Sequence, residues 1–360
     1  MSINVNTTST LYTLLSRQRQ TAEVAGKLEA ASREVSTGLM SDPYKSIGIR
    51  SAEALGLRAR MDRNEGLMVA NTVLQSRLDL TAETLGAIRE TGQEVLDLAV
   101  ANRGARAGTL GAIQGLARQA LEQITSQLNT GYNGAQLFAG IAVDATPVQR
   151  YGEVNAGTGR APKDVIDEVI GGGIASAADA AAKIAEIEGI FADADPDPAR
   201  NFEATFYNGA PRLDASGAPV PRLQTRIEEN ETLEYGVQAN DQGFRDLIRG
   251  LSMLAGTDAQ SIADDGAYEA WTSSAVDAMA SGLADVLQSE VKLGSQQKTL
   301  DFTIRAQTDR SDLYNSQILS LEGVDTYEAA TRVAQLQTQL EATYSITARL
   351  SRLSFANYMR

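Results

Sequence analysis

The chain has 360 residues, 43% hydrophobic and 22% charged, as expected of a folded protein of two or three domains. Its net charge of −14 argues against a nucleic-acid partner, because neutralising phosphates needs a basic face. With no cysteine and no histidine, disulfides and thiolate chemistry are excluded, and the commonest general base and transition-metal ligand are missing.

The opening MSINVNTTSTLYTLLSRQRQ lacks the basic start and unbroken apolar run of a secretory signal. No stretch nears the roughly 20 apolar residues of a membrane helix, so no membrane partner is expected. From Leu11 a seven-residue repeat runs through Leu14, Gln18, Thr21, Ala25, Leu28, Ser32 and Val35. These are coiled-coil inner positions, but only some carry apolar bulk. STGLMSDPYKS (36–46) interrupts the repeat, because Gly38 and the Asp42-Pro43 pair break helices.

A second helix is expected over about 49–102. Its later part repeats Leu74, Leu78, Thr81, Leu85, Ile88, Gly92 and Val95 at coiled-coil spacing, while Arg58, Arg60 and Arg63, set among acidic residues, read as a solvated face. A third helical stretch, about 106–129, carries Leu110, Ile113, Ala117, Leu121, Ile124 and Leu128 before NTGYNG turns the chain.

The character changes near residue 141. From there to about 240 lie most of the prolines, short helical pieces (KDVIDEVI, AADAAAKIAEIEGIF), and two strand-like runs, LQTRIEE and TLEYGVQA. Helical pattern resumes near Gly243 and again over about 267–320. The final helix covers about 324–358, with Ala329, Val333, Leu336, Leu340, Tyr344, Ile346, Leu350 and Leu353 along its stripe. Phe355 and Tyr358 extend this apolar run into the closing TARLSRLSFANYMR, where soluble chains usually turn polar.

The fold class expected is mainly α: a long helical-bundle or coiled-coil hairpin formed by the N- and C-terminal arms, with a central α+β insertion domain. The expected domains are 1–44 with 323–360 as a terminal coiled-coil assembly region, 45–143 with 243–322 as a long-helix core, and 144–242 as a variable outer insert. The terminal stripes are too thin to offset the entropy of ordering both helices in one chain. Both ends are therefore expected to order only when other copies or partners pack around them. The expected assembly interface is Leu11, Leu14, Leu28, Val35, Val333, Leu336, Leu340, Leu350, Leu353, Phe355 and Tyr358.

Three segments carry a resemblance. VSTGLMSDP (35–43) resembles the loop after the first helix in the flagellin superfamily, and NGAQLFAG (133–140) resembles the segment closing that family's helical N-terminal half. The C-terminal GVDTYEAATRVAQLQTQLEATYSITARLSRLSFANYM is similar to the last helix of the hook–filament junction type. The resemblance covers roughly 1–143 and 243–360; residues 144–242 match nothing usable, as the family's variable outer domain would. It implies a structural, non-enzymatic subunit, exported without a cleaved signal through the flagellar type III apparatus, with an export chaperone as a further candidate partner. Outside the cell it would self-associate in a ring between hook and filament, touching flagellin and the neighbouring hook-associated protein. The alternative within the class is flagellin itself.

Sharper chemical readings are weak. DADPDPAR (193–200) spaces its acids like the start of a calcium loop, but Pro198 and Ala204 stand where glycine and glutamate are needed, so it reads as an acidic surface loop. GTGRAPKD and the glycines 171–173 lack the spacing and lysine of a phosphate loop. Asp264-Asp265 and Glu228-Glu229 are adjacent and diverge, and Trp271 reads as a packing anchor. No catalytic residue, cofactor or metal ligand is assigned. A carboxylate-based extracellular hydrolase in the insert is the reading from another class.

Overall fold

The computed structural model describes residues 10–102, 110–258 and 261–358, with side chains apart from those at 10, 11, 13, 14, 110 and 350–358. It divides into two compact units, residues 1–66 with 306–360 and residues 67–305. The boundaries fall inside two long helices.

The terminal unit contains α1 (Thr10–Thr37), α2 (Pro43–Ile47) with a following 3-10 turn, and the start of α3 (Ser51–Ala101). It also holds the end of α9 (Asp265–Glu322) and α10 (Thr326–Tyr358). The helix starts are chemically marked. Asp42 accepts the Lys45 N–H at 3.2 Å with Pro43 in the first turn of α2, and Asp325 accepts the Tyr327 N–H at 2.8 Å before α10. α1 lies against α10 in antiparallel sense, the end of one beside the start of the other. The early part of α3 meets the last part of α9 through Ala54, Leu57, Ile318 and Leu321. A buried amide adds register there: Asn64 Nδ2 donates to the Gln307 carbonyl at 2.7 Å.

The larger unit is built around α8 (Gln242–Gly256), most of whose residues are buried. α4 (Leu110–Leu128), α5 (Pro162–Ile170) and α6 (Ala177–Phe191) all pack on it. A two-residue hairpin, β1 (Gly131–Tyr132) and β2 (Ala135–Gln136), follows α4. Its turn uses Asn133 and Gly134 at φ 50° and 81°, the left-handed pair that a tight hairpin demands. A short α7 (Phe202–Thr205) precedes an antiparallel hairpin of β3 (Leu223–Glu228) and β4 (Glu231–Tyr235). Asn71 on α3 donates to the Ile227 carbonyl at 2.9 Å, and Gln296 on α9 donates to the Glu234 carbonyl at 2.8 Å, which seats this hairpin on the long helices.

Residues of the expected insert share one continuous core with the helices. Val165, Ile166, Ile187, Phe202 and Phe206 belong to the same buried cluster as Leu85, Ile88, Leu121, Leu247, Trp271 and Leu283. The coiled-coil positions read on α3, Leu74 through Val95, are all buried. Trp271 is an anchor as expected, 1% exposed, with its indole N–H on the Met253 carbonyl at 3.2 Å.

Two groups of charges find partners within the fold. The acids of 193–200 stand on a partly exposed loop and are ion-paired there: Asp193 pairs with the fully buried Arg245 at 2.5 Å, and Asp195, 5% exposed at its side chain, pairs with Arg200 at 3.3 Å. Arg58 is not simply solvated either, because it grips the buried Glu322 carboxylate, which raises the guanidinium pKa above its ordinary value. Arg60 and Arg63 are exposed. For Asp193 and Arg58 a partner distant in sequence claims a charge that local pattern assigns to water.

Candidate assembly interface and its joint

The terminal pair begins at a joint made by the STGLMSDP segment. Gly38 takes φ 68° and its N–H caps α1 by donating to the Glu34 carbonyl at 2.9 Å. Thr37 Oγ1 donates to the Arg33 carbonyl at 2.8 Å, closing the last turn. Leu39 then pairs with Gly323 as an isolated antiparallel bridge. The Met40 N–H donates to the Glu322 carbonyl at 2.8 Å, and the Val324 N–H donates to the Gly38 carbonyl at 2.9 Å. The two breaks in helix, one after α1 and one before α10, are thus bonded to each other.

Two buried carboxylates complete the joint. Glu34, 8% exposed, accepts from the Ser41 N–H at 3.1 Å and the Ser41 hydroxyl at 3.0 Å, while its other oxygen lies 3.4 Å from Arg332 on α10. Glu322, 1% exposed, takes the Arg58 guanidinium through both oxygens. A buried carboxylate is costly unless paired and hydrogen-bonded, and both are.

Of the residues expected at the interface, Leu28, Val333, Leu336 and Leu340 are half-buried on the terminal pair. Val35 points away, 37% exposed. The side chains of Leu11, Leu14, Leu350, Leu353, Phe355 and Tyr358 lie outside the described residues. Ala31 at 2% and Ala329 at 0% are the tightly packed positions near the joint; Ala31 and Glu34 were missed because a strict seven-residue repeat places Ser32 and Val35 inward instead. The seven-residue repeat drifts against the 3.6-residue turn of a straight helix, and the small alanine offers little pattern.

Covering in this chain is partial. Tyr12, Leu15, Tyr344 and Ile346 stay exposed on the terminal helices, as do Tyr44 and Ile49 on the segment after the joint, Ile49 at 99%. No group of three or more metal-capable side chains occurs among the described residues, and no described helix is long and apolar enough to cross a membrane.

The second family-like segment, NGAQLFAG, ends the helical half by burying Leu137, Phe138 and Ala139. Phe138 meets Phe244 of α8 edge-on with ring centres 6.2 Å apart, and its carbonyl accepts the Ala239 N–H at 2.9 Å.

Residues 8–143 match the bacterial flagellin N-terminal helical region, and residues 276–359 match the bacterial flagellin C-terminal helical region. Together these spans take in more than half of the chain, and the chain belongs to the flagellin family, a family of structural subunits that self-assemble into flagellar polymers. It is a flagellar structural subunit. No curated protein sequence matches it. Among solved structures, one described provisionally as a flagellar hook-associated protein from Vibrio parahaemolyticus is similar in fold. The match has 11% identity and a TM-score of 0.50, covering 75% of this chain and 96% of that one.

Proposed function

We propose that this protein forms the junction ring between flagellar hook and filament, polymerising by packing its terminal helices against those of neighbouring copies. The observation that carries the assembly mechanism is the incomplete cover of α1 and α10, whose exposed apolar side chains need neighbours that one chain does not supply. The C-terminal sequence from Gly323 supports the junction type, and the fold likeness to a hook-associated protein is compatible with it. The charge distribution agrees with an outward insert. Acidic residues outnumber basic ones by more than two to one over 144–242, while α1 and α10 are near neutral, each with one more basic than acidic residue. Like charges crowded near the axis of a polymer would repel, and the terminal helices avoid this.

In this reading the subunit reaches the cell exterior through the flagellar type III apparatus without a cleaved signal, and its terminal helices order fully on assembly. Its neighbours are further copies, flagellin and an adjacent hook-associated protein. Electron microscopy of cells lacking the protein tests the role: bare hooks with flagellin shed into the medium are expected, and normal filaments would refute it. Flagellin is the second reading, favoured by the match of both terminal regions to flagellin. Counting copies per purified flagellum separates the two, a handful for the junction and thousands for the filament.

A further inference from the structure

Burial along the terminal helices is graded, and the gradient starts at the joint. Beside it Ala31, Ala329 and Glu34 are 2%, 0% and 8% exposed. Further along, Val333, Leu336 and Leu340 are half-buried. Beyond them on the same stripe of α10, Tyr344 is 57% exposed. Directional bonds concentrate in the same place: the Gly38–Val324 and Met40–Glu322 backbone bonds, and the Glu34 contacts to Ser41 and Arg332.

We propose that this joint is the folding nucleus of the terminal pair, so that α1 and α10 order as one unit that zips outward from Glu34 and Ser41. Starting a helix fixes several residues for a single hydrogen bond. Pairing two helices from opposite ends of the chain adds the entropy of closing a long loop. The backbone bridge at Leu39 and Gly323 sets both helix ends in register, which meets those two costs at one point. Each later turn then gains only its own local seam, and the seam thins with distance. Opening should therefore become easier outward, in step on both helices.

Glu34 is the coupling residue. It sits on α1, yet its two oxygens are satisfied by the connector and by α10. Loss of either partner leaves a buried carboxylate short of hydrogen bonds. The order of α1 thus depends on that of α10. This concerns the isolated chain and holds whether the polymer is a junction or a filament.

Amide hydrogen exchange read by mass spectrometry on the purified full chain tests it. Protection should be highest at 28–37 and 326–336 and fall roughly tenfold or more toward 15–20 and 341–349, together on both helices. Uniform protection, or protection rising away from the joint, would overturn the proposal. Glu34→Ala should speed exchange along both α1 and α10 while α8 is unchanged. Glu29→Ala, which removes only an exposed partner of Arg33 at 3.9 Å, should change neither helix. Faster exchange in α1 alone, no change with Glu34→Ala, or loss of protection in α8 as well would each count against it.

Discussion

Arg245 shows how much a single side chain can hold. It is 0% exposed and donates to the Asn240 and Phe191 carbonyls, both at 2.8 Å. Asp193 and Glu203 flank it at 2.5 and 2.8 Å, and its guanidinium lies 4.8 Å from the centre of the Phe202 ring. A buried cation with this many partners is expensive to remove, because the partners stay behind. Arg245→Leu should lower stability by roughly 3 kcal/mol in urea denaturation; a loss well under 1 kcal/mol would mean that water readily replaces the guanidinium. Two buried phenols make a different case. Burial pushes Tyr151 and Tyr207 well above the ordinary tyrosine range, and neither hydroxyl finds a hydrogen-bond partner among the described residues. With the folded pKa raised, stability is intact below the ordinary value of about 10 and declines as pH rises through it, because the unfolded chain releases the proton first. Tyr151→Phe should leave stability at pH 8 unchanged or up to about 1 kcal/mol higher. It should also flatten the decline above pH 10, measured by denaturation at pH 8 and 11.

Helix-on-helix contact in the larger unit relies on missing side chains. A methyl built on Gly282 of α9 would stand 2.5 Å from the Leu247 amide nitrogen and 2.7 Å from the Gly243 carbonyl oxygen of α8. One on Gly250 would stand 2.6 Å from the Ala275 carbonyl oxygen. These neighbours are backbone and cannot turn aside, so the helices would have to separate. Gly282→Ala should therefore cost on the order of 1–3 kcal/mol despite alanine's better helix propensity, seen as a lower thermal midpoint. A gain in stability would show that the crossing is looser than its geometry. At this scale the helical stripes were readable in advance, because core-facing positions recur at a local period. The strand pair was readable too, and β3 and β4 form where LQTRIEE and TLEYGVQA stand. The glycine crossing was not, since nothing near Gly282 marks α8 as its neighbour.

For the whole molecule the consequence is an economy of folding: the larger unit has its own core, and the terminal helices remain partly uncovered. Deleting residues 350–360 should leave α8 and its surroundings folded by circular dichroism and exchange protection, yet prevent incorporation into a flagellum. Motile cells with normal flagella carrying this truncation would refute the assembly role of the tail. The amino-acid order alone determined where helices run and stop, because period, proline, glycine and capping residues act within a few positions. It also showed that the two ends resemble a polymer-forming family. Only the tertiary structure decided that residues 144–242 share a core with the long helices, that Arg245 pairs with Asp193 and Glu203, and that Glu34 rather than Val35 faces α10. Each of these is a contact between residues far apart in the chain, settled by which surfaces can be buried together rather than by any local preference.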